Sequence, residues 1–301
     1  MKKPVKIVLA SLAGLVVVIA AAASVVSPLA ERKLHRVVQL PPLQVTFAAA
    51  DGQLERGEYL YKTRGCMECH GVDGAGHVVI DDKASGFFAH APNITAGDAS
   101  PARSYTDTDW VRTLRHGVKP SGQPLLIMPS EDYARFTDAD IAAIVAYVRS
   151  LPPASTGGGE FRIPFPIKAA YLLGAIKDSA EKIDHTAAPP AAVADDLVAR
   201  GQYIAQSCSG CHGPHFSGGK IPGTPPSWPA AANLTSAPDS AMSHYTSADQ
   251  FKSMLRTGKR PDGSAISDVM PFKSLVYMDD AELDALFAFL KTVEPRPSGQ
   301  R

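Results

Sequence analysis

The sequence predicts an all-α protein made of two copies of one small domain, preceded by a single apolar helix. Three observations predict this fold class: a set of motifs recurs at one fixed offset, amphipathic helices recur at matching places, and no segment shows sustained period-two alternation. The 301 residues are 45% hydrophobic, which is enough to bury a core and excludes a chain disordered throughout. The 30 basic residues balance 30 acidic ones, so we expect no nucleic-acid partner.

The first predicted element is the apolar helix. Ile7 to Val26 is a run of twenty residues without a charge, and it follows a positively charged start. At about 1.5 Å per residue the run is about 30 Å long, which is the thickness of a bilayer core. We predict a transmembrane anchor over residues 1–30 and a spacer over residues 31–51. A cleaved export signal is the alternative, because Ala21 to Ala23 offers small residues to a peptidase.

The rest of the chain is a tandem repeat. The run Cys66-Met67-Glu68-Cys69-His70-Gly71 returns in the second half as Cys208-Ser209-Gly210-Cys211-His212-Gly213. Three shorter matches follow in the same order: Asn93-Ile94-Thr95 with Asn233-Leu234-Thr235, Tyr105-Thr106 with Tyr245-Thr246, and Met128-Pro129 with Met270-Pro271. The period is far too long for a solenoid. It predicts domain 1 over residues 52–153, a linker over 154–192 and domain 2 over 193–297.

Each copy is expected to contain three helices. In domain 1, Gln53 to Thr63 leads into the cysteine motif, and Thr106 with Asp109 forms a capping box for a second helix that Gly117 ends. The last helix begins after Thr137 and has apolar residues at helical spacing: Ile141, Ile144, Val145 and Val148. In domain 2 the same reasoning gives a cap at Thr246 with Asp249, an end at Gly258, and the apolar residues Leu283, Leu286, Phe287 and Leu290.

Each Cys-x-x-Cys-His run is the attachment signature of c-type haem. The two-residue gap lets both thiols reach the two vinyl groups of one porphyrin, and the histidine that follows is placed under the iron. We therefore predict two covalently bound haem c groups, one on Cys66, Cys69 and His70 and one on Cys208, Cys211 and His212.

Three other uses of these cysteines are less consistent with the sequence. A thioredoxin-like centre would need a βαβ context, which is absent. A Cys₄ zinc site would have to join two pairs that lie far apart along the chain, in separate copies of the domain. Structural disulfides would leave the histidine after each pair unexplained.

A methionine in each copy is the candidate for the sixth ligand. The spacing from His70 to Met128 is the same as the spacing from His212 to Met270. A buried methionine usually fills a core, but a Met-Pro pair before the last helix of both copies is better explained as an iron ligand. We predict Met128 and Met270 as axial ligands, which raises the reduction potential relative to two histidines.

These residues resemble the membrane-anchored dihaem class I cytochromes c of bacterial respiration, over about Gln53 to Glu294. The resemblance implies haem attachment in the periplasm, hence a single-pass protein of the inner membrane with both haem domains outside. After signal cleavage it would instead be a soluble periplasmic carrier. It also implies a dehydrogenase or quinol-oxidising complex as electron donor, and a terminal oxidase or soluble cytochrome as acceptor.

Several recurring polar residues are expected near the haems. Asn93 and Asn233 match a glycosylation sequon, but their recurrence predicts hydrogen bonds in the haem crevice. Tyr105 and Tyr245 could bond a haem propionate, although simple packing explains them equally well. Three arginines could neutralise propionates or lie on solvated helix faces: Arg112, Arg115 and Arg256.

The leading functional prediction is an electron-transfer protein rather than an enzyme, because both axial positions of each iron are filled. One alternative is a dihaem peroxidase or thiosulfate-oxidising enzyme, which needs an open or unusually ligated haem. Another is a permanent haem subunit of a dehydrogenase or oxidase complex.

Overall fold

The structure is a computed structural model and describes residues 3–43, 45–193 and 195–301. Its first helix, α1 (Lys3–Leu34), contains Pro28 and ends with basic residues in its last turn. Part of the predicted membrane-spanning run, Ile7 to Val26, lies outside the residues whose side chains are described. Within the described residues, no helix combines the length and hydropathy needed to cross a bilayer.

The remaining elements follow the predicted order of domain, linker and domain. Domain 1 contains α2 (Gln53–Thr63), α3 (Cys66–His70), β1 (Val78–Asp82), β2 (Phe87–His90), α4 (Asp107–His116) and α5 (Asp138–Ser150). The linker contains β3 (Glu160–Arg162), α6 (Phe165–Leu172) and α7 (Ser179–Lys182). Domain 2 contains α8 (Leu197–Ala205), α9 (Ser209–His212), α10 (Ala248–Thr257), α11 (Phe272–Leu275) and α12 (Asp280–Leu290). Short 3₁₀ turns cover Ser130–Asp132, Gln206–Cys208 and Ala241–His244.

In both domains the first long helix crosses the last, α2 on α5 and α8 on α12. A glycine makes each crossing close. A Cβ atom on Gly57 would lie 2.0 Å from the carbonyl oxygen of Ala143, and one on Gly201 would lie 1.9 Å from that of Ala285. Because any side chain would collide with backbone there, the two helices pack at a distance that only glycine permits.

The predicted helix signals are largely confirmed. Thr106 and Asp109 form the capping box of α4, and Gly117 ends that helix with a φ of 64°. The apolar residues predicted for α5 are all buried, and so are those of α12 except the half-buried Phe287. The start of α10 was predicted one residue early. Ser247 caps it by accepting the backbone N–H of Gln250, while Thr246 donates its hydroxyl to the Gln250 side chain.

Domain 1 departs from the all-α prediction in one place. The strands β1, β2 and β3 form an antiparallel sheet between the cysteine motif and Asn93, and the linker supplies β3. The strands have only five, four and three residues, so no period-two alternation could be recognised. Asp82 closes the hairpin by accepting the N–H of Ala84 at 3.0 Å. Domain 2 has a loop there, organised by Lys220, which donates to the carbonyl of Trp228 at 2.6 Å.

The predicted spacer packs on domain 1 instead of standing free. The backbone N–H of Val38 donates to the carbonyl of Gly122 at 2.9 Å, and that of Phe47 donates to the carboxylate of Asp107 at 2.8 Å. The backbone N–H of Val45 donates to the hydroxyl oxygen of Thr108 at 3.2 Å. This segment therefore runs along the outside of α4.

The linker also packs on domain 1, and we call residues 160–182, from β3 to α7, the strap. Near its end, the N–H of Ser179 donates to the carbonyl of Leu125 at 2.9 Å, and its hydroxyl donates to the carbonyl of Met128. On its other side, Arg36, two residues after the end of α1, donates to the fully buried carboxylate of Asp178 at 2.6 Å. The strap thus joins the end of α1 to the loop that carries Met128.

After the strap, the linker contacts domain 1 through a pair of histidines. This pair predicts that the stability of the protein depends on pH. The Nδ1 atoms of His116 and His185 lie 3.1 Å apart, and His116 is buried. Burial, then His185, lowers the pKa of His116 to about 4, from an ordinary value of 6.5. Between these values the unfolded chain binds more protons than the folded protein, so stability is complete above pH 6.5 and is lost as the pH falls towards 4.

Urea unfolding at a series of pH values measures this effect. Because solvent screens part of the interaction, the wild-type protein should lose about 2 kcal/mol of stability through His116 between neutral pH and pH 4. His116→Gln should remove this loss. His215→Gln, at an exposed histidine, is the control and should keep the wild-type profile. Identical profiles for all three proteins would contradict the assignment.

Candidate haem sites

The two cysteine motifs adopt the same local structure. Each forms a short helix, α3 or α9, at the end of the first long helix of its domain, and each ends on a glycine of positive φ, Gly71 at 76° and Gly213 at 82°. Among the described residues, no disulfide joins any of the four cysteines. Burial raises the pKa of Cys66 and that of Cys208 to about 12.

The two motif histidines are held in the orientation of an iron ligand. Nδ1 of His70 lies 2.9 Å from the carbonyl oxygen of Pro92, and Nδ1 of His212 lies 2.8 Å from that of Ala232. Since a carbonyl can only accept, Nδ1 carries the proton and Nε2 keeps its lone pair for a metal. Burial lowers the pKa of both histidines, which favours the neutral form that binds iron.

Sequence reasoning missed the glycines that hold the acceptor carbonyls in place. The N–H of Gly76 donates to the carbonyl of His70, and that of Gly218 to the carbonyl of His212, both at 2.9 Å. A Cβ on Gly76 would lie 2.2 Å from the carbonyl oxygen of Ala91, so the backbone just before the Pro92 acceptor carbonyl passes directly over Gly76. Gly76 follows His70 at the same spacing as Gly218 follows His212. This recurrence is the sequence signal that could have identified both glycines.

The predicted methionines occupy matching positions in both domains. Met128 and Met270 are half-buried, and each packs against the core of its own domain. After each Met-Pro pair the chain turns at once, since the N–H of Ser130 donates to the Met128 carbonyl and that of Phe272 to the Met270 carbonyl. Cys66 and Met128 both pack against the hydrophobic core of domain 1. Their role as iron ligands stays a prediction.

The predicted crevice asparagines bond to protein and orient the histidine acceptors indirectly. Asn93 is fully buried; its amide oxygen accepts from Thr95, and its amide nitrogen donates to the carbonyls of Ala154 and Thr156 at 3.0 and 2.9 Å. Asn233 makes the same bond to its own threonine and donates to the carbonyl of Arg296 at 2.8 Å. Each asparagine directly follows the acceptor residue, Pro92 or Ala232, so it anchors that carbonyl. A buried asparagine is also a poor glycan acceptor.

The two predicted tyrosines pack in aromatic pairs. Tyr105 lies edge-on to Trp110 with ring centroids 5.4 Å apart, and Tyr245 lies edge-on to Phe251 at 5.7 Å. Packing of this kind accounts for their recurrence, and a contact with a propionate stays a prediction.

Two of the three candidate arginines have a structural role. Arg115 donates to Asp138 at 2.8 Å, and Arg256 donates to Asp280 at 3.0 Å. Each bond ties the middle helix of a domain to the first turn of its last helix. The Nε atoms of Arg112 and Arg115 are both buried without a protein partner among the described residues.

The domains meet through a buried polar cluster close to both motifs. Arg64, which is 3% exposed and comes just before the first motif, donates to Glu282 of α12 at 2.5 Å. Across the same interface, the Tyr203 hydroxyl donates to Asp140 at 2.7 Å. These hydrogen bonds between the domains fix the position of one haem-binding motif relative to the other.

The fold and the sites together define a two-domain helical protein with one c-type haem site in each domain. The chain belongs to the cytochrome c family, which matches residues 54–152 and 198–294 separately. It carries two covalently bound haem c groups and is a dihaem class I cytochrome c.

Three relatives show the range of similarity. The chain is 29% identical to the fructose dehydrogenase cytochrome subunit of Gluconobacter japonicus, over 87% of this chain and 57% of that protein. It is 27% identical to the gluconate 2-dehydrogenase cytochrome c subunit of Pantoea cypripedii, over 84% and 62%. It is also 27% identical to a dihaem c-type cytochrome of Cereibacter sphaeroides, over 82% and 88%.

The chain therefore spans about three fifths of the length of the two dehydrogenase subunits. Both are named as cytochrome subunits rather than as catalytic subunits.

Proposed function

We propose that the chain is a dihaem electron carrier that takes single electrons from a partner dehydrogenase and passes them to a high-potential acceptor. One observation carries this proposal. Each domain pairs a histidine, whose Nε2 is left free by an Nδ1 bond to a carbonyl, with a methionine that follows it at the same spacing in both copies. Iron with both axial positions filled exchanges electrons but offers no site to a substrate.

Haem attachment and iron ligation would fall to different residues of the chain. Cys66 and Cys69 hold one haem and Cys208 and Cys211 the other, and the bound haem supplies a one-electron Fe(III)/Fe(II) couple. Met128 and Met270 complete the ligation, and their thioethers favour Fe(II). The carbonyl bonds keep both histidines in one orientation, so little rearranges when an electron arrives.

A peroxidase or a thiosulfate-oxidising enzyme is the weaker candidate. Either would need a haem with an open or altered sixth position. The equal spacing of the two methionines favours the same closed ligation in both domains.

A sugar, sugar-acid or alcohol dehydrogenase is the proposed donor, because the similar proteins are named as cytochrome subunits of such enzymes. A permanent complex agrees with those names better than a transient encounter does. A terminal oxidase or soluble cytochrome is the proposed acceptor.

We also propose that the amino-terminal segment anchors the protein in the bacterial inner membrane, with both haem domains in the periplasm. The uncharged run Ile7 to Val26 supports this proposal, and cleavage of the segment is the alternative. The bond from Arg36 to Asp178 would then hold domain 1 close to the end of the anchor.

One experiment tests donor and anchor together. Membranes that contain the protein are washed in high salt, and D-fructose, D-gluconate or ethanol is added while the haem spectrum is followed. We expect the protein to stay in the membrane fraction and one substrate to reduce both haems. A chain with residues 1–30 replaced by a cleavable signal should be soluble with both haems attached.

Two outcomes would contradict these proposals. A wild-type protein released as a soluble chain that begins near Ser24 would show that the segment is a signal. Haems that dithionite reduces but that none of the three substrates reduces would argue against this class of donor.

A further inference from the structure

One acidic side chain of domain 1 lies against the cysteine motif of domain 2. Asp132 is 6% exposed and ends the 3₁₀ turn that follows Met128-Pro129. Its Oδ1 accepts the backbone N–H of Gly210 at 2.7 Å and the hydroxyl of Ser209 at 2.9 Å. Ser209 and Gly210 are the two residues between the haem-binding cysteines of domain 2.

The absence of a side chain at Gly210 makes this approach possible. A Cβ atom there would lie 2.8 Å from Oδ2 of Asp132, closer than any real contact allows. The carboxylate therefore sits directly over the short helix that binds the second haem. Asp132 belongs to the loop of domain 1 that carries Met128, the proposed ligand of the first haem.

A corresponding contact joins domain 2 to the cysteine motif of domain 1. At the offset that relates the two cysteine motifs, Asp132 corresponds to Ser274 and Gly210 corresponds to Glu68. The hydroxyl of Ser274 donates to the carboxylate of Glu68 at 2.7 Å. Glu68 thus lies beside the cysteines of its own domain, whereas Asp132 lies beside the cysteines of the other domain.

We infer that Asp132 of domain 1 sets the reduction potential of haem 2, which is the haem bound by domain 2; haem 1 is the haem bound by domain 1. A negative charge in a buried site beside a haem stabilises Fe(III) over Fe(II) and so lowers the potential. The inference rests on the electron-carrier function proposed above and adds to it a difference between the two haems that originates in the domain interface.

The surroundings of Asp132 make its charge respond to reduction. Burial, and next the neighbouring Glu131, raises the pKa of Asp132 to about 7, while Ser209, Gly210 and Lys182 act in the opposite direction. On the side of domain 2, the guanidinium of Arg301 donates to the carbonyl of Gly210 at 3.0 Å. When one electron enters haem 2 from an external donor, an ionised Asp132 takes up as much as one proton from solvent.

Optical redox titration of the full-length protein with both haems attached tests the inference. Asp132→Asn keeps an oxygen for the Gly210 N–H but loses the charge. We expect haem 2 to become easier to reduce by about tenfold above pH 7, which is about 59 mV for a one-electron couple, with haem 1 unchanged. The wild-type potential of haem 2 should fall as the pH rises through about 7, and the variant should lack this slope.

Two further variants keep the test decisive if Asp132→Asn does not fold. Gly210→Ala retains the carboxylate but displaces it, so the potential of haem 2 should rise by a smaller amount. Glu68→Gln should raise the potential of haem 1 and leave haem 2 unchanged. Asp98→Asn, at an exposed carboxylate of domain 1, is the control and should change neither.

Ligand variants identify the haems, since Met128→His lowers the potential of haem 1 and Met270→His that of haem 2. A shift of haem 1 alone, or no shift, in Asp132→Asn would overturn the inference. Failure of the proposed function would be distinct, because a wild-type protein without sulfur-ligated haem would be recognised from its spectrum before any variant is made.

Discussion

Met270→His should lower the reduction potential of one haem by an amount on the order of 100 mV, and Met128→His should lower that of the other. Imidazole stabilises Fe(III) better than a thioether does, so each substitution moves the haem of its own domain. In the oxidised protein, each should also remove half of the weak far-red band of sulfur bound to ferric haem. A redox titration with optical spectra measures both effects.

Met278→Leu is the control for this pair of variants. Met278 is 2% exposed in the core of domain 2 and has no counterpart at the repeat spacing. It should change stability but neither potential. Persistence of the full far-red band in a protein that carries both Met→His substitutions would show that other residues ligate the irons.

The chain with Cys66→Ser and Cys69→Ser should carry one covalent haem instead of two. Thioether bonds survive extraction with acidified acetone, so the haem retained per chain should fall by half. Cys208→Ser with Cys211→Ser should give the same result for domain 2. Glu68→Gln changes the first motif without touching a cysteine and should keep both haems. A wild-type chain with one haem would contradict the assignment.

Local signals in the sequence predicted most of the helices and the residue types of both sites. The capping box at Thr106 and the terminating Gly117 depend on neighbours within one turn, so they can be read from the sequence. The cysteine motifs are equally local. Period-two alternation needs more residues than β1 to β3 provide, and the sheet was missed for that reason.

Contacts between distant residues could not be predicted. The acceptor of the His70 ring is the carbonyl of Pro92, 22 residues away, and a backbone carbonyl has no sequence signature. The interface contact between Asp132 and Gly210 spans 78 residues and depends on how the two domains dock. The recurrence of the Asn-x-Thr motif identified Asn93 as a residue of the site. Only the structure shows that its side chain donates to a backbone carbonyl.

The central claim is that one chain holds two haems, each ligated by histidine and methionine, for electron transfer. A redox titration of the purified wild-type protein, with haem content and spectra recorded together, tests this claim most directly. We expect two haems per chain, two one-electron transitions at potentials typical of His/Met ligation, and a far-red sulfur band that accounts for both. A haem that is high-spin and binds cyanide quickly would contradict the claim and would favour an enzyme with an open iron site.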